Sequence, residues 1–459
     1  MEQFLGKDYL LGSVEAREIL ARIEGLPIVD AHNHVEAEQI AIDQGWNDIW
    51  EVEGRTDHYV WELMRRCGVP EEKITGNASN REKWRTFAGI VPLLAGNPLY
   101  EWLHLDLRRR FGLTEFVGPE TADVIWEKTE EALASADMRP RSLLQQMGVE
   151  VLCTTDSPLS DLSWHEQLKE ELSSPKVLPT WRPDSILQVG TPEWKEFVVA
   201  LGEKTGENTE MFDGLLAAIE KTHKHFRSHG TVASDHGIQA PYGKPASTSE
   251  AKRIYQKAIS RKELTVEDLR ALRSFLLHFF AELNAEAGWV MQLHIGAVRD
   301  YRDNLSETFG KDCGGDVTSH TIEITNGLHE FLNAFEGKLN IVLYAVHPSH
   351  IYTLATLARA FPNISVGSPW WFMDNPFHMR DQLLQVASVD LLSNYAGMVT
   401  DSRKLFSFQS RTEVFRRVLA NILGEMVATG RVPFEVASEV AERVAYHGPK
   451  ELFFNKETK

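Results

Sequence analysis

The sequence predicts an α/β protein, a (β/α)8 TIM barrel with a helical subdomain inserted after strand one. Three observations predict it. Eight short apolar, β-branched-rich runs recur along the chain, helical patterns lie between them, and the runs end in residues able to do chemistry.

The first four runs are PIVDAHNH (27–34), VEVLCTTDSP (149–158), KVLPTWRPD (176–184) and TVASDHG (231–237). Four more follow: WVMQLHIGA (289–297), NIVLYAVHP (340–348), NISVGSPWWF (363–372) and GMVTDSRK (397–404). Apolar runs without strict alternation suit strands covered on both faces, as in a parallel sheet. Between them, TVEDLRALRSFLLHFFAELNAEAG reads as a helix with Thr265 as N-cap and Gly288 near its end. SRTEVFRRVLANILGEMVATG has helical spacing up to Gly430. The stretch 35–148 is too long for a βα loop and rich in helical pattern. The chain therefore divides into 1–34 with strand one, a helical insertion at 35–148, and the remaining barrel at 149–459.

Composition narrows the function classes. With 459 residues, 43% hydrophobic and 25% charged, the chain can bury a large core. A net charge of -18 argues against nucleic acid or an anionic membrane as partner, because phosphate-rich surfaces need a basic face. Cys67, Cys153 and Cys313 form no C-x-x-C pair and suit a reducing compartment. MEQFLGKDYLLGSVEAREIL lacks a basic stretch followed by an apolar one, and no window approaches the ~18 apolar residues of a spanning helix. A cytoplasmic protein with a small-molecule substrate is expected.

In such a barrel, function collects at the C-terminal strand ends. Here those ends carry His32 and His34, Asp156, Arg182, Asp235 and His236, His294, His347, Trp370 and Trp371, and Asp401 with Arg403. Histidines at i, i+2 on a strand face the same side, imidazole suits zinc, and a carboxylate can complete the set. First and last strands are neighbours in a closed barrel, so Asp401 can sit beside His32 and His34. Lone histidines are more often surface or core groups, and HKHFRSH (223–229) is read as a solvated helix face.

VDAHNH on strand one with TDSR on strand eight resembles the amidohydrolase superfamily. Further motifs resemble its uronate isomerase (glucuronate isomerase) family nearly end to end: FLGKDYLL, TDHYVWELMRRCGV (56–69), GNPLYEWLHLDLRRRFG (96–112), LPTWRPD, ASDH, QLHIGAVRDYRDN (292–304), PWWF and GMVTDSRKL. The resemblance implies an amidohydrolase-type barrel that isomerises hexuronates between aldose and ketose. It implies one divalent metal, zinc, and no organic cofactor; a homo-oligomer is expected.

That reaction moves a proton from C2 to C1 through an enediol, which needs a base near both carbons and a donor or cation for the oxyanion. The sugar carboxylate needs a cationic clamp, which the arginine fork suits. By resemblance, His32, His34 and Asp401 are the metal ligands, and Arg182 and Arg403 the clamps. His58 and Tyr59 reach over the mouth from a helix read with Thr56 as N-cap. Asp401 is favoured as base over Tyr59, whose phenol needs a nearby cation at neutral pH. His294 is a ligand or sugar contact, and Asp235, Trp370 and Trp371 are further substrate-side candidates. No lysine accompanies Asp235 and His236 to bridge two metals, which favours one. His347 departs from the family pattern and alone supports a metal-dependent hydrolase or lactonase; Pro348 beside it equally suits a turn.

Overall fold

The computed structural model describes residues 4–454, so Met1 to Gln3 of the N-terminal stretch lie outside the described residues. The predicted runs supply seven regular strands: β1 (Ile28–Asp30), β2 (Val149–Cys153), β3 (Lys176–Leu178), β4 (Ala233–Ile238), β5 (Val290–Ile295), β8 (Asn340–Ala345) and β9 (Ile364–Val366). Two short strands, β6 (Ala297–Val298) and β7 (Val317–Thr318), form an antiparallel pair after β5. All pairings among the seven are parallel, in the orders β1-β2-β3 and β4-β5-β8-β9. Trp181, just past β3, bridges the halves by pairing with Asp156 on one side and Ser234 on the other.

The eighth run corrects the expectation of a strand. Residues 396–402 complete the ring without regular strand geometry, because Gly397 (φ 89°) and Asp401 (φ 48°) adopt left-handed backbone. Closure comes from individual hydrogen bonds. Ala396 N donates to Val366 O (3.0 Å), Asp401 N to His32 O (3.1 Å), and His34 N to Ser402 O (2.8 Å). The buried Asp30 carboxylate adds two more, accepting from Thr400 N at 3.0 Å and Thr400 Oγ1 at 2.6 Å.

Between β1 and β2 the chain forms helices Ala37–Ile42, Ile49–Glu53, His58–Arg66, Asn80–Ile90, Pro98–Phe111, Ala122–Leu133 and Pro140–Gln146. Their Trp50, Trp84 and Trp102 share one continuous core with Leu152, Leu293 and Leu343 of the barrel. No helix among the described residues is long and apolar enough to cross a membrane.

Helix Val266–Ala287 has the expected ends: a capping box between Thr265 and Asp268, and Gly288 at φ 66°. Two local readings are corrected. Asp57, rather than Thr56, caps helix His58–Arg66, its carboxylate accepting from Tyr59 N at 2.9 Å. Both residue types can cap, and only Asp57 has a buried cationic partner, Lys404 at 3.1 Å. His223 is not on a solvated face: it is buried, 3.9 Å between ring centroids from Trp289, and 3.2 Å from Asn284 Oδ1. Helix Phe212–Ser228 turns that face to the barrel, leaving His225 outside.

The outer helix Ser407–Ala428 meets the N-terminal helix Val14–Ile23 at Gly424. A Cβ there would lie 2.4 Å from Ala16 N and 2.5 Å from Ala16 Cα. Gly424→Ala should therefore destabilise by about 1–3 kcal/mol, the overpacking cost exceeding alanine's better helix propensity. Chemical denaturation checks this, and an unchanged midpoint contradicts it.

Candidate active site

The barrel closure brings together residues that are 369 positions apart. Asp401 Oδ1 lies 3.2 Å from His32 Nε2 and 3.1 Å from His34 Nε2. The two imidazoles stand nearly perpendicular at 86°, with centroids 5.0 Å apart. Left-handed backbone at a residue carrying a β-carbon costs on the order of 1–3 kcal/mol and persists where surroundings impose it. At Asp401 the bond to His32 O and the Asp30–Thr400 pair impose it.

His32 also belongs to a second three-donor group with Asp235 and His294. Asp235 Oδ1 accepts from His294 Nδ1 at 2.6 Å, and its Oδ2 lies 3.8 Å from His32 Nδ1. In each group the donor atoms fall within 4.8 Å of one another, so either could hold a metal ion. The donor chemistry fits a divalent ion. Two imidazoles and a carboxylate leave a position open, and the 3.1 and 3.2 Å from the Asp401 oxygen to the two histidine nitrogens are close to the ~3.3 Å edge of a tetrahedron with bonds of ~2.0–2.1 Å. His32 Nδ1 and His294 Nε2 are buried with no hydrogen-bond partner in the protein, an arrangement that costs about 1–3 kcal/mol per group unless something is bound there. Burial, opposed in part by Asp401, takes His34 down to about 4, which keeps it neutral at pH 7 as a ligand must be. Despite burial, His32 and His34 hold the Asp401 carboxyl well below the usual range.

A cavity of about 480 Å³ opens onto this cluster, lined by His32, His34, His58, Arg182, His294, Trp370, Trp371, Asp401 and Arg403. Arg182 is held by Asp184 (2.9 Å) and Asp235 (3.3 Å), with Gly237 N donating to the same Asp184 oxygen at 3.0 Å. His58 stacks on Tyr59 at 4.7 Å and meets Trp371 edge-on at 5.6 Å. Burial, then the Arg403 charge, lowers His58 to about 4, so its imidazole is neutral. His294 stacks on Tyr344 at 4.2 Å, with Trp370 against its edge at 4.7 Å.

Not every predicted residue faces this cavity. Asp235 is fully buried beneath it, against Arg182 and His294. Tyr59 lies behind His58 and borders a neighbouring cavity of about 750 Å³. His236 stacks on Phe280 at 5.7 Å and is a core residue. His347 is the N-cap of helix Pro348–Ala360, its ring accepting from Ser349 N at 3.2 Å; it does not line the cavity, and the hydrolase alternative loses its support.

Arg273, Arg299 and Lys311 line the cavity and were not singled out in the sequence. Arg299 lies 4.8 Å above Trp371, which itself takes a φ of 51°. Its place inside QLHIGAVRDYRDN was the available signal. A larger cleft of about 790 Å³ shares only His34 and Arg403 with the residues predicted from sequence.

Residues 1–453 match the family described as glucuronate isomerase. The uronate isomerase of Thermotoga maritima is 52% identical over 451 residues, covering 98% of this chain and 100% of that one. That of Bacillus subtilis is 34% identical over 472 residues, covering 100% and 99%. The crystal structure of the Thermotoga maritima uronate isomerase superposes with a TM-score of 0.97, covering 99% of this chain and 100% of that one. The Caulobacter crescentus glucuronate isomerase structure superposes at 0.95 with 27% identity, covering 99% and 98%.

Asp156, at the second strand end, does not line the cavity; Thr154 Oγ1 donates to it at 2.7 Å, and burial raises its pKa from 3.8 to about 7. Between those values the folded chain holds a proton that the unfolded chain releases, so stability falls as pH rises through the window. Asp156→Asn keeps an acceptor for Thr154 and should gain stability over the parent progressively as pH rises from 4 to 7. Thermal melts across that range check it; a pH-independent difference contradicts it.

Proposed function

The chain belongs to the glucuronate isomerase family, and on that premise we propose that it interconverts aldose and ketose hexuronates, D-glucuronate with D-fructuronate and D-galacturonate with D-tagaturonate. The observation that carries the reading is the joint presence of Arg182 and Arg403, a neutral imidazole and the Asp401 carboxylate around one cavity of about 480 Å³.

Arg182 and Arg403 bind the C6 carboxylate, the planar group for which a guanidinium fork is best suited. Asp235 positions from below, steadying Arg182 through one oxygen and His294 through the other. Trp370 and Trp371 wall the sugar face. His58, neutral and half-buried, offers a donor to the C1–C2 oxygens.

Asp401 is the proton carrier. Its contacts with both histidines are made by Oδ1, which leaves Oδ2 to take the proton from C2 and return it at C1. Tyr59 is the weaker choice, since burial and the Asp401 charge raise its phenol well above 10.0 and keep it a donor. His32, His34 and Asp401 would hold one divalent ion, zinc by their donor set, whose charge when bound polarises a sugar oxygen. Cys67, Cys153 and Cys313 are free thiols, in keeping with a cytoplasmic enzyme.

Incubation with each hexuronate should yield the ketose and, in D2O, solvent deuterium in the product. Asp401→Asn should lower kcat by about 10²–10⁴-fold, the usual span for a lost general base. Near-normal turnover in that variant removes Asp401 from the chemistry. Chelation followed by zinc return should abolish and restore activity, whereas full activity in metal-free protein would make His32 and His34 structural.

A further inference from the structure

Lys404 follows Arg403 out of the closing segment, yet its side chain is only 3% exposed. Its Nζ lies 2.8 Å from Glu53 Oε2 and 3.1 Å from Asp57 Oδ2, on side chains 1% and 4% exposed. Glu53 ends helix Ile49–Glu53, and Asp57 caps helix His58–Arg66. One ammonium therefore ties three chain segments together in a dry environment, where removing one partner strands the others' charge.

The placement of this tie matters more than its strength. Asp57 uses Oδ2 toward Lys404 and Oδ1 to accept from Tyr59 N at 2.9 Å, so the grip on Asp57 also orients the first turn carrying His58 and Tyr59. On the other side, Lys404 is the residue next to Arg403 and three beyond Asp401. Although burial opposes it, Lys404 with His58 and Arg411 keeps the Asp57 carboxyl below its usual range, whereas burial and Glu53 push Asp106 nearby well above its own. A second brace runs parallel. Arg411 donates to Thr400 O at 2.7 Å, pairs with Asp374 at 3.1 Å, and lies 5.5 Å over the Tyr59 ring.

We propose that Lys404 is a positioning residue: by gripping Glu53 and Asp57 it sets His58 and Tyr59 against the closing segment that presents Asp401 and Arg403. This rests on the reading of His58, with Tyr59 stacked behind it, as the group at the reacting end of the sugar. Displacement of that end by about an ångström costs on the order of 10²-fold in rate, while the carboxylate clamp still binds. The signature is a loss in kcat with little change in KM.

The test compares the metal-loaded parent with Lys404→Met, Lys404→Arg and Asp57→Asn, by steady-state kinetics and amide hydrogen exchange. Lys404→Met should lower kcat about 100-fold with KM within about threefold. Exchange in residues 58–66 should quicken at least about tenfold, with β4 and β5 unchanged. Lys404→Arg, which keeps the charge, should recover kcat to within about tenfold of the parent. Where Lys404→Met fails to fold, Asp57→Asn carries the same expectation, because it keeps the cap acceptor and removes the charge that Lys404 grips. A folded Lys404→Met or Asp57→Asn protein with parental kcat, a loss confined to KM, or unchanged exchange in residues 58–66 overturns the proposal. A parent that turns over neither hexuronate defeats the functional reading instead, and the exchange comparison alone then decides the positioning.

Discussion

The seam where the ring closes is the constraint on which the site depends. Asp30 and Thr400 meet through two hydrogen bonds at the boundary between the first strand and the last segment. Backbone bonds from Asp401 to His32 and from His34 to Ser402 continue the seam outward. The histidine pair and its carboxylate are the next residues along it. A buried carboxylate that satisfies both a backbone amide and a hydroxyl leaves its neighbours little freedom, and the left-handed turn at Asp401 is held by that restriction.

Around the seam the protein has assembled an unusual density of buried charge. Arg182 is shared by Asp184 and Asp235, Arg411 by Asp374 and the Thr400 carbonyl, and Lys404 by Glu53 and Asp57. Pairs of this kind add little net stability compared with apolar packing, but they are costly to break. Their use here is geometric, since Arg182 joins the end of β3 to β4, and Arg411 and Lys404 join the closing segment to its neighbours. A small apolar cluster that includes Ala31, Tyr344, Trp370, Trp371 and Val399 packs in the same region.

Much of this was legible in the sequence, for identifiable reasons. Strands covered on both faces leave continuous apolar runs, so seven of the eight staves could be read with their chemical ends. Barrel topology allowed the distant aspartate to sit beside the histidine pair, and the family resemblance named the three as one set. The eighth stave read as an ordinary strand because its irregularity comes from tertiary bonds at Asp401 that leave no local pattern. Thr56 and Asp57 are both of capping type, and the distant Lys404, which pairs with Asp57 at 3.1 Å, is not legible beside them in the sequence. His223 lies in a polar-looking string, and only the packing of Trp289 makes it a core residue. Arg273 and Arg299 resemble any surface arginine until the fold turns them inward.

The 369-residue separation of His32 and Asp401 also bears on how the molecule is made. At ~5–20 residues per second of synthesis, roughly 20–75 seconds pass between the emergence of the first ligand and the last. The first strand spends that time without its closing neighbour, and the loop to be closed is among the longest the chain can form. The group of His32, His34 and Asp401 thus arises only once nearly the whole polypeptide has left the ribosome, whereas the group of His32, Asp235 and His294 has all its residues by position 294. Assembly of the first group therefore marks the closing of the ring rather than its start.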